Sequence, residues 1–191
     1  MTDAASIKDD LAYVRAAAEG AQPTHVPAIY LLWAAICVVG FPLVDIVGPG
    51  SAWVGIYWTV AGPLGGLLTW RLAVQAGRRA GQADRRAGKR WMGHFLAFFG
   101  TGVLGMGLIA SGQLTWTGVS SLWILLLALT YFLAGLHLER RLMPVGVVLA
   151  AGYLFTLYLP EYGATTTGVT VAATLAAQAW LGAQAAQRAA D

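Results

Sequence analysis

The chain is poor in most of the residue types that chemistry in water demands. Charged residues make up 11% of its 191 positions against 58% hydrophobic ones, and mean hydropathy is positive. No segment is both long and polar enough to fold as a separate soluble domain, so one membrane domain is expected. There is one cysteine, Cys37, inside an apolar run. A lone thiol excludes an internal disulfide and a cysteine-cluster metal site, and at such a position it behaves as a small hydrophobe. Lysine is nearly missing: Lys8 and Lys89 stand alone among arginines, a bias that, with the abundance of Ala and Gly, points to a GC-rich bacterial genome. Also missing are a phosphate-cradling glycine loop with its Lys, the HExxH and GxSxG motifs, and any nucleophile with an identifiable base. No carboxylate or histidine occupies the middle of an apolar run. That argues against a proton-coupled pump, which needs a titratable relay at mid-depth, and against a buried acid/base pair. No inverted three-plus-three repeat of the transporter kind is present.

What the chain does have is apolar runs of spanning length. A hydrocarbon core about 30 Å thick takes roughly 20 residues of helix. Six such helices are predicted near Pro27 to Val47, Ala52 to Trp70, Met92 to Gly112, Val119 to Leu138, Leu142 to Leu159 and Ala164 to Leu181. All twelve Lys and Arg residues then fall before the first run, between the second and third, between the fourth and fifth, or after the sixth. With an even number of spans these segments share one face, and the positive-inside bias makes it the cytoplasm. The expectation is an all-α polytopic protein of the bacterial inner membrane with both termini cytoplasmic. The outer connections, Gly48 to Ser51, Gln113 to Gly118 and Pro160 to Gly163, carry no positive charge.

Residues 1–25 form a cytoplasmic segment ahead of the membrane domain at 26–191. Ile7, Leu11, Val14 and Ala18 follow helical spacing and Gly20 stands where a C-terminal cap belongs, which predicts a short amphipathic helix. No removable signal peptide is expected, because no basic stretch precedes an apolar run with a small-residue cleavage site. Four acids against two bases in residues 1–20 suit docking on protein better than lying on anionic lipid. Pro23 and Pro27 end this segment and open the first span.

The connection at 71–91 is strongly basic, with Arg78, Arg79, Arg85, Arg86, Lys89 and Arg90. It reads as a topology determinant resting on anionic headgroups, or as a partner surface, and the acidic N-terminal helix is expected to touch it. Gly77, Gly81 and Gly88 each weaken a helix by about 1 kcal/mol relative to Ala, leaving a frayed helix or a turn-rich loop equally open. Nucleic acid is not an expected partner, because no aromatics interleave the charges.

Three groupings inside the spans carry functional expectations. His94 and His137 lie almost equally far from Thr115, taken as the centre of the loop between the third and fourth runs. Equal depth on antiparallel neighbours is what a bis-histidine haem would require. Ala97, Thr101 and Gly105 make a small-residue stripe suited to close helix packing. Thr167, Thr170, Thr174 and Gln178 form a polar stripe, suited to helix or subunit packing or to lining a narrow wet path. Trp33, Trp53, Trp70, Trp91, Trp116 and Trp180 lie toward run ends, as interfacial anchors do. The sequence thus predicts a nonenzymatic accessory, assembly or scaffolding subunit, as a homo-oligomer or within a larger membrane complex. A small oligomeric channel and a haem-binding electron carrier are the alternatives.

Overall fold

The computed structural model describes Leu11, Tyr13 and residues 25–79, 85–159 and 161–188. It is all-α, with α1 (Pro27–Val47), α2 (Ala52–Arg79), α3 (Arg85–Ala110), α4 (Trp116–His137), α5 (Met143–Tyr158) and α6 (Gly163–Arg188), and a 3₁₀ turn at Arg140–Leu142 before α5. Among the described residues four stretches are long and apolar enough to cross a membrane: Pro27–Val47, Gly88–Ala110, Trp116–His137 and Arg140–Tyr158. In α2 and α6 the apolar residues are diluted by Gly, Ala, Thr and Gln, so these two are long but less apolar. The amphipathic helix expected in residues 1–20 lies outside the described residues, apart from Leu11 and Tyr13, which are helical.

The basic connection is mostly helix. α2 runs past the expected end at Trp70 to Arg79, and α3 starts at Arg85. Arg78 and Arg79 sit in the last turn of α2, where positive side chains offset the partial negative charge of the unpaired carbonyls. They are exposed, as are Lys89 and Arg90, while the side chains of Arg85 and Arg86 lie outside the described residues.

The helices pack as an open row. α1 lies along α6, α6 against α5, and α5 against α4, while α2 is added beside α1 and α3 beside α4. The core forms where the four inner helices meet, from Tyr30, Ala34 and Phe41, from Ile124, Ala128 and Ala134, from Val145 and Leu149, and from Val171, Leu175 and Ala179. Close approach comes from small residues, which in lipid let backbones meet at van der Waals distance. Gly152 of α5 leaves the room that the Thr167 side chain of α6 fills. The end helices are held by side-chain pins. Tyr57 donates to the Ile36 carbonyl at 2.7 Å and the Trp33 indole to Thr69 Oγ1 at 3.0 Å, both joining α2 to α1. Trp33 is therefore a tie between helices as well as a ring near a helix end.

The turn between α3 and α4 corrects the depth expected for the histidines. α3 closes at Gly112, whose φ of 73° suits glycine. The N–H groups of Gln113 and Leu114 return to the Leu108 carbonyl at 2.9 and 3.1 Å. Thr115 is the N-cap of α4, its hydroxyl accepting from Gly118 N–H, so it belongs to the second helix rather than to the middle of the loop. The pairing shifts accordingly: Trp123 packs over Gly102, and Phe95 meets Tyr131.

Candidate functional site at the charged end of the bundle

Two polar clamps tie α1 and the residues before it to the rest of the bundle. At one end Asp45 Oδ2 accepts the Thr165 N–H at 2.6 Å. Thr165 lies in the first turn of α6, where backbone donors are unpaired and the helix dipole favours an anion, so Asp45 caps α6 from α1. At the opposite end four polar side chains from three parts of the chain converge beside α6.

That second cluster is built by a short irregular corner. After α4 the N–H groups of Leu138 and Glu139 both bond the Ala134 carbonyl, and Glu139 then turns extended (φ −145°, ψ 107°) before the 3₁₀ turn. Successive side chains along extended backbone point opposite ways. Glu139 consequently aims into the bundle while Arg140 is exposed. Glu139 Oε1 accepts from Tyr30 Oη at 2.6 Å and lies 3.0 Å from His25 Nδ1. Side-chain exposure is 14% for His25 and 19% for Glu139, so this pair is largely shielded from solvent. An ionised carboxylate only accepts, so the His25 proton facing it must sit on Nδ1. The distance to Tyr30 is typical of a charge-assisted bond.

Two buried atoms beside this pair, His25 Nε2 and Arg141 Nη1, have no hydrogen-bond partner among the described residues. Both reach the same point: a side chain added at Gly182 of α6 would strike the His25 ring and the Arg141 guanidinium. A neutral Nε2 accepts and Nη1 donates, so the two are chemically complementary across Gly182. The cluster carries one carboxylate, one guanidinium, one imidazole and one phenol. This arrangement binds the segment before α1 to the α4–α5 corner and to α6.

The residues singled out in the sequence separate. His94 Nε2 lies 2.9 Å from the Thr130 carbonyl oxygen, to which it donates. Thr130 precedes His137 by seven residues, or about 10 Å of helix, so the two histidines are not level. His94 pins α3 to α4, whereas His137 is exposed at the end of α4. In the small-residue stripe, Gly105 faces Leu122 of α4, while Ala97 and Thr101 are exposed. α3 packs instead through Phe98 and Gly102 against Trp123.

The stripe on α6 also divides. Thr167 is fully buried and its hydroxyl lies 2.7 Å from the Gly163 carbonyl of its own helix and 3.1 Å from the Gly152 carbonyl of α5. Thr170 and Thr174 donate to the Thr166 and Thr170 carbonyls, 2.7 and 2.8 Å away. Thr170 is exposed, and Thr174 and Gln178 are partly so. The packed face of α6 is Ala164, Gly168, Val171, Leu175, Ala179 and Gly182, and the polar stripe flanks it. His25, Tyr30 and Arg141 went unread as a site because their partners are remote in sequence. The one available signal was an acid beside two bases, Glu139-Arg140-Arg141, at the end of an apolar run.

Compared with protein-family models, curated proteins and solved structures, the chain matches none.

Proposed function

We propose that the protein is a six-span, nonenzymatic accessory or assembly subunit of the bacterial inner membrane, with both termini and the charged end of the bundle at the cytoplasm. The observation that carries this reading is the open row. α2 and α3 are consecutive in sequence yet stand beside α1 and α4 respectively, at the two ends of the row. Both leave broad faces uncovered, with Ile56, Val60 and Leu64 exposed on α2 and Leu96, Val103 and Leu104 on α3. Among these lie glycines with open space around them, Gly62 and Gly66 on α2 and Gly93, Gly100 and Gly107 on α3. Lipid covers apolar side chains readily, but small residues in series favour another helix. Ala97 and Thr101 belong to this uncovered side of α3.

The six-span count is supported by alternation. Asp45 and the start of α6 share one end of the bundle; Tyr30 and the α4–α5 corner share the other. α2 and α6 are long enough at 28 and 26 residues, and twelve Lys and Arg residues on one side fit the positive-inside bias. The polar stripe Thr170, Thr174 and Gln178 would pack against a companion helix. The experiment is purification from native membranes in mild detergent. A companion, whether a second copy or a foreign subunit, is expected with the native chain and absent once Gly100 and Gly107 become Leu. A chain recovered alone under all conditions, or a companion indifferent to those substitutions, overturns the proposal.

A further inference from the structure

At the α4–α5 corner the extended residue Glu139 and the 3₁₀ turn Arg140–Leu142 that follows it separate the charges into two faces. Glu139 and Arg141 turn inward to the cluster with His25 and Tyr30. On the outer side an open cleft of about 350 Å³ is lined by Gly135, Leu136, His137, Leu138, Arg140 and Met143. His137 and Arg140 are exposed, and the one ion pair among the described residues uses His25 and Glu139. The cleft therefore joins two nitrogen bases, with no carboxylate facing them among the described residues, to an apolar floor. Its depth is set by the chain: α4 ends at His137 and α5 starts at Met143, and both belong to stretches apolar enough to cross a membrane. The cleft thus stands at the boundary between hydrocarbon and headgroups.

We infer that this cleft is a binding site for the phosphate group of an anionic membrane lipid. The Arg140 guanidinium presents forked donors that match phosphate oxygens, and the His137 imidazole supplies a further donor. Leu136, Leu138 and Met143 lie where the first carbons of the lipid tails would run. A guanidinium at the membrane surface contributes about 1 kcal/mol of attraction to anionic lipid, or about fivefold in affinity. The inference rests on the membrane reading above.

The test is native mass spectrometry of the full chain titrated with phosphatidylglycerol, with phosphatidylcholine of the same acyl chains, and with inorganic phosphate. Phosphatidylglycerol is expected to bind at least fivefold more tightly than phosphatidylcholine. The double variant His137→Ala, Arg140→Gln should lose that preference; Arg140→Lys, which keeps the charge without the fork, should keep only part of it. Both positions are exposed, and recovery of the variants as folded membrane protein separates loss of this site from failure of the membrane reading. An unchanged preference in the double variant overturns the inference. So does an equal loss from Arg78→Gln, Arg79→Gln, which would mark diffuse attraction, or displacement of the lipid by inorganic phosphate at equal concentration.

Discussion

Replacing Glu139 with Ala tests the cluster at the charged end most sharply. Glu139 Oε1 meets Tyr30 Oη at 2.6 Å and His25 Nδ1 at 3.0 Å. Hydrogen bonds to a charged group contribute about 1.5–3 kcal/mol each, and removing one partner of a buried ion pair costs about 3–5 kcal/mol. Glu139 keeps 19% of its side chain exposed, so water will recover part of that. A loss of about 3 kcal/mol follows, which for a chain of this length lowers Tm by roughly 6–12 °C. Glu139→Gln keeps an oxygen that can accept from both donors and should cost about half as much. Tyr30→Phe should lower stability by about 1–2 kcal/mol in the native chain, and by much less once Glu139 is Ala, because the phenol has then already lost its acceptor. The assay is thermal unfolding in detergent, followed by loss of the monodisperse peak on size exclusion. A Tm change below 2 °C for Glu139→Ala, or full additivity with Tyr30→Phe, would refute the clamp.

Gly182→Ala should cost about 1–3 kcal/mol through overpacking against His25 and Arg141, whereas Gly55→Ala, in open space on α2, should be neutral or slightly stabilising in the same thermal assay. Asp45→Ala should cost about 1–2 kcal/mol by uncapping α6, read as a lower Tm and as faster hydrogen exchange confined to the first turn of α6. A reporter fused after Asp191 is expected to be active only on the cytoplasmic side; periplasmic activity would contradict six spans with the charged end inside. Gln178→Leu should weaken subunit association by about 0.5–2 kcal/mol while leaving the stability of the isolated chain unchanged, which a dilution series on size exclusion distinguishes.

All-α architecture and the four most apolar helices were legible because spanning length and the absence of charge are local properties of the chain. Helix ends were less so: Trp70 ends the apolar run, but nothing stops α2 chemically before Arg79, and the glycines at 77 and 88 are carried inside helices. The expected level pairing of His94 with His137 rested on Thr115 as the pivot. It failed because the turn is made by Gly112, while Thr115 caps α4. The polar stripe on α6 was legible as a stripe, but its direction was not, since the hydroxyls of Thr170 and Thr174 are satisfied within their own helix. Hydrogen-bonded to itself, a threonine can face outward. The clamp at the charged end brings together His25 and Tyr30 with Glu139 and Arg141, two pairs more than a hundred positions apart, and only the packing of α1 along α6 and of α6 against α5 makes them neighbours.

The central claim is that this open row of helices is completed by another chain. Native mass spectrometry of the protein extracted from its own membrane, with minimal delipidation, tests it most directly. The account predicts an assembly heavier than the 20.1 kDa chain that dissociates when Gly100 and Gly107 of α3 are both replaced by Leu. A single 20.1 kDa species at every detergent and protein concentration would contradict it.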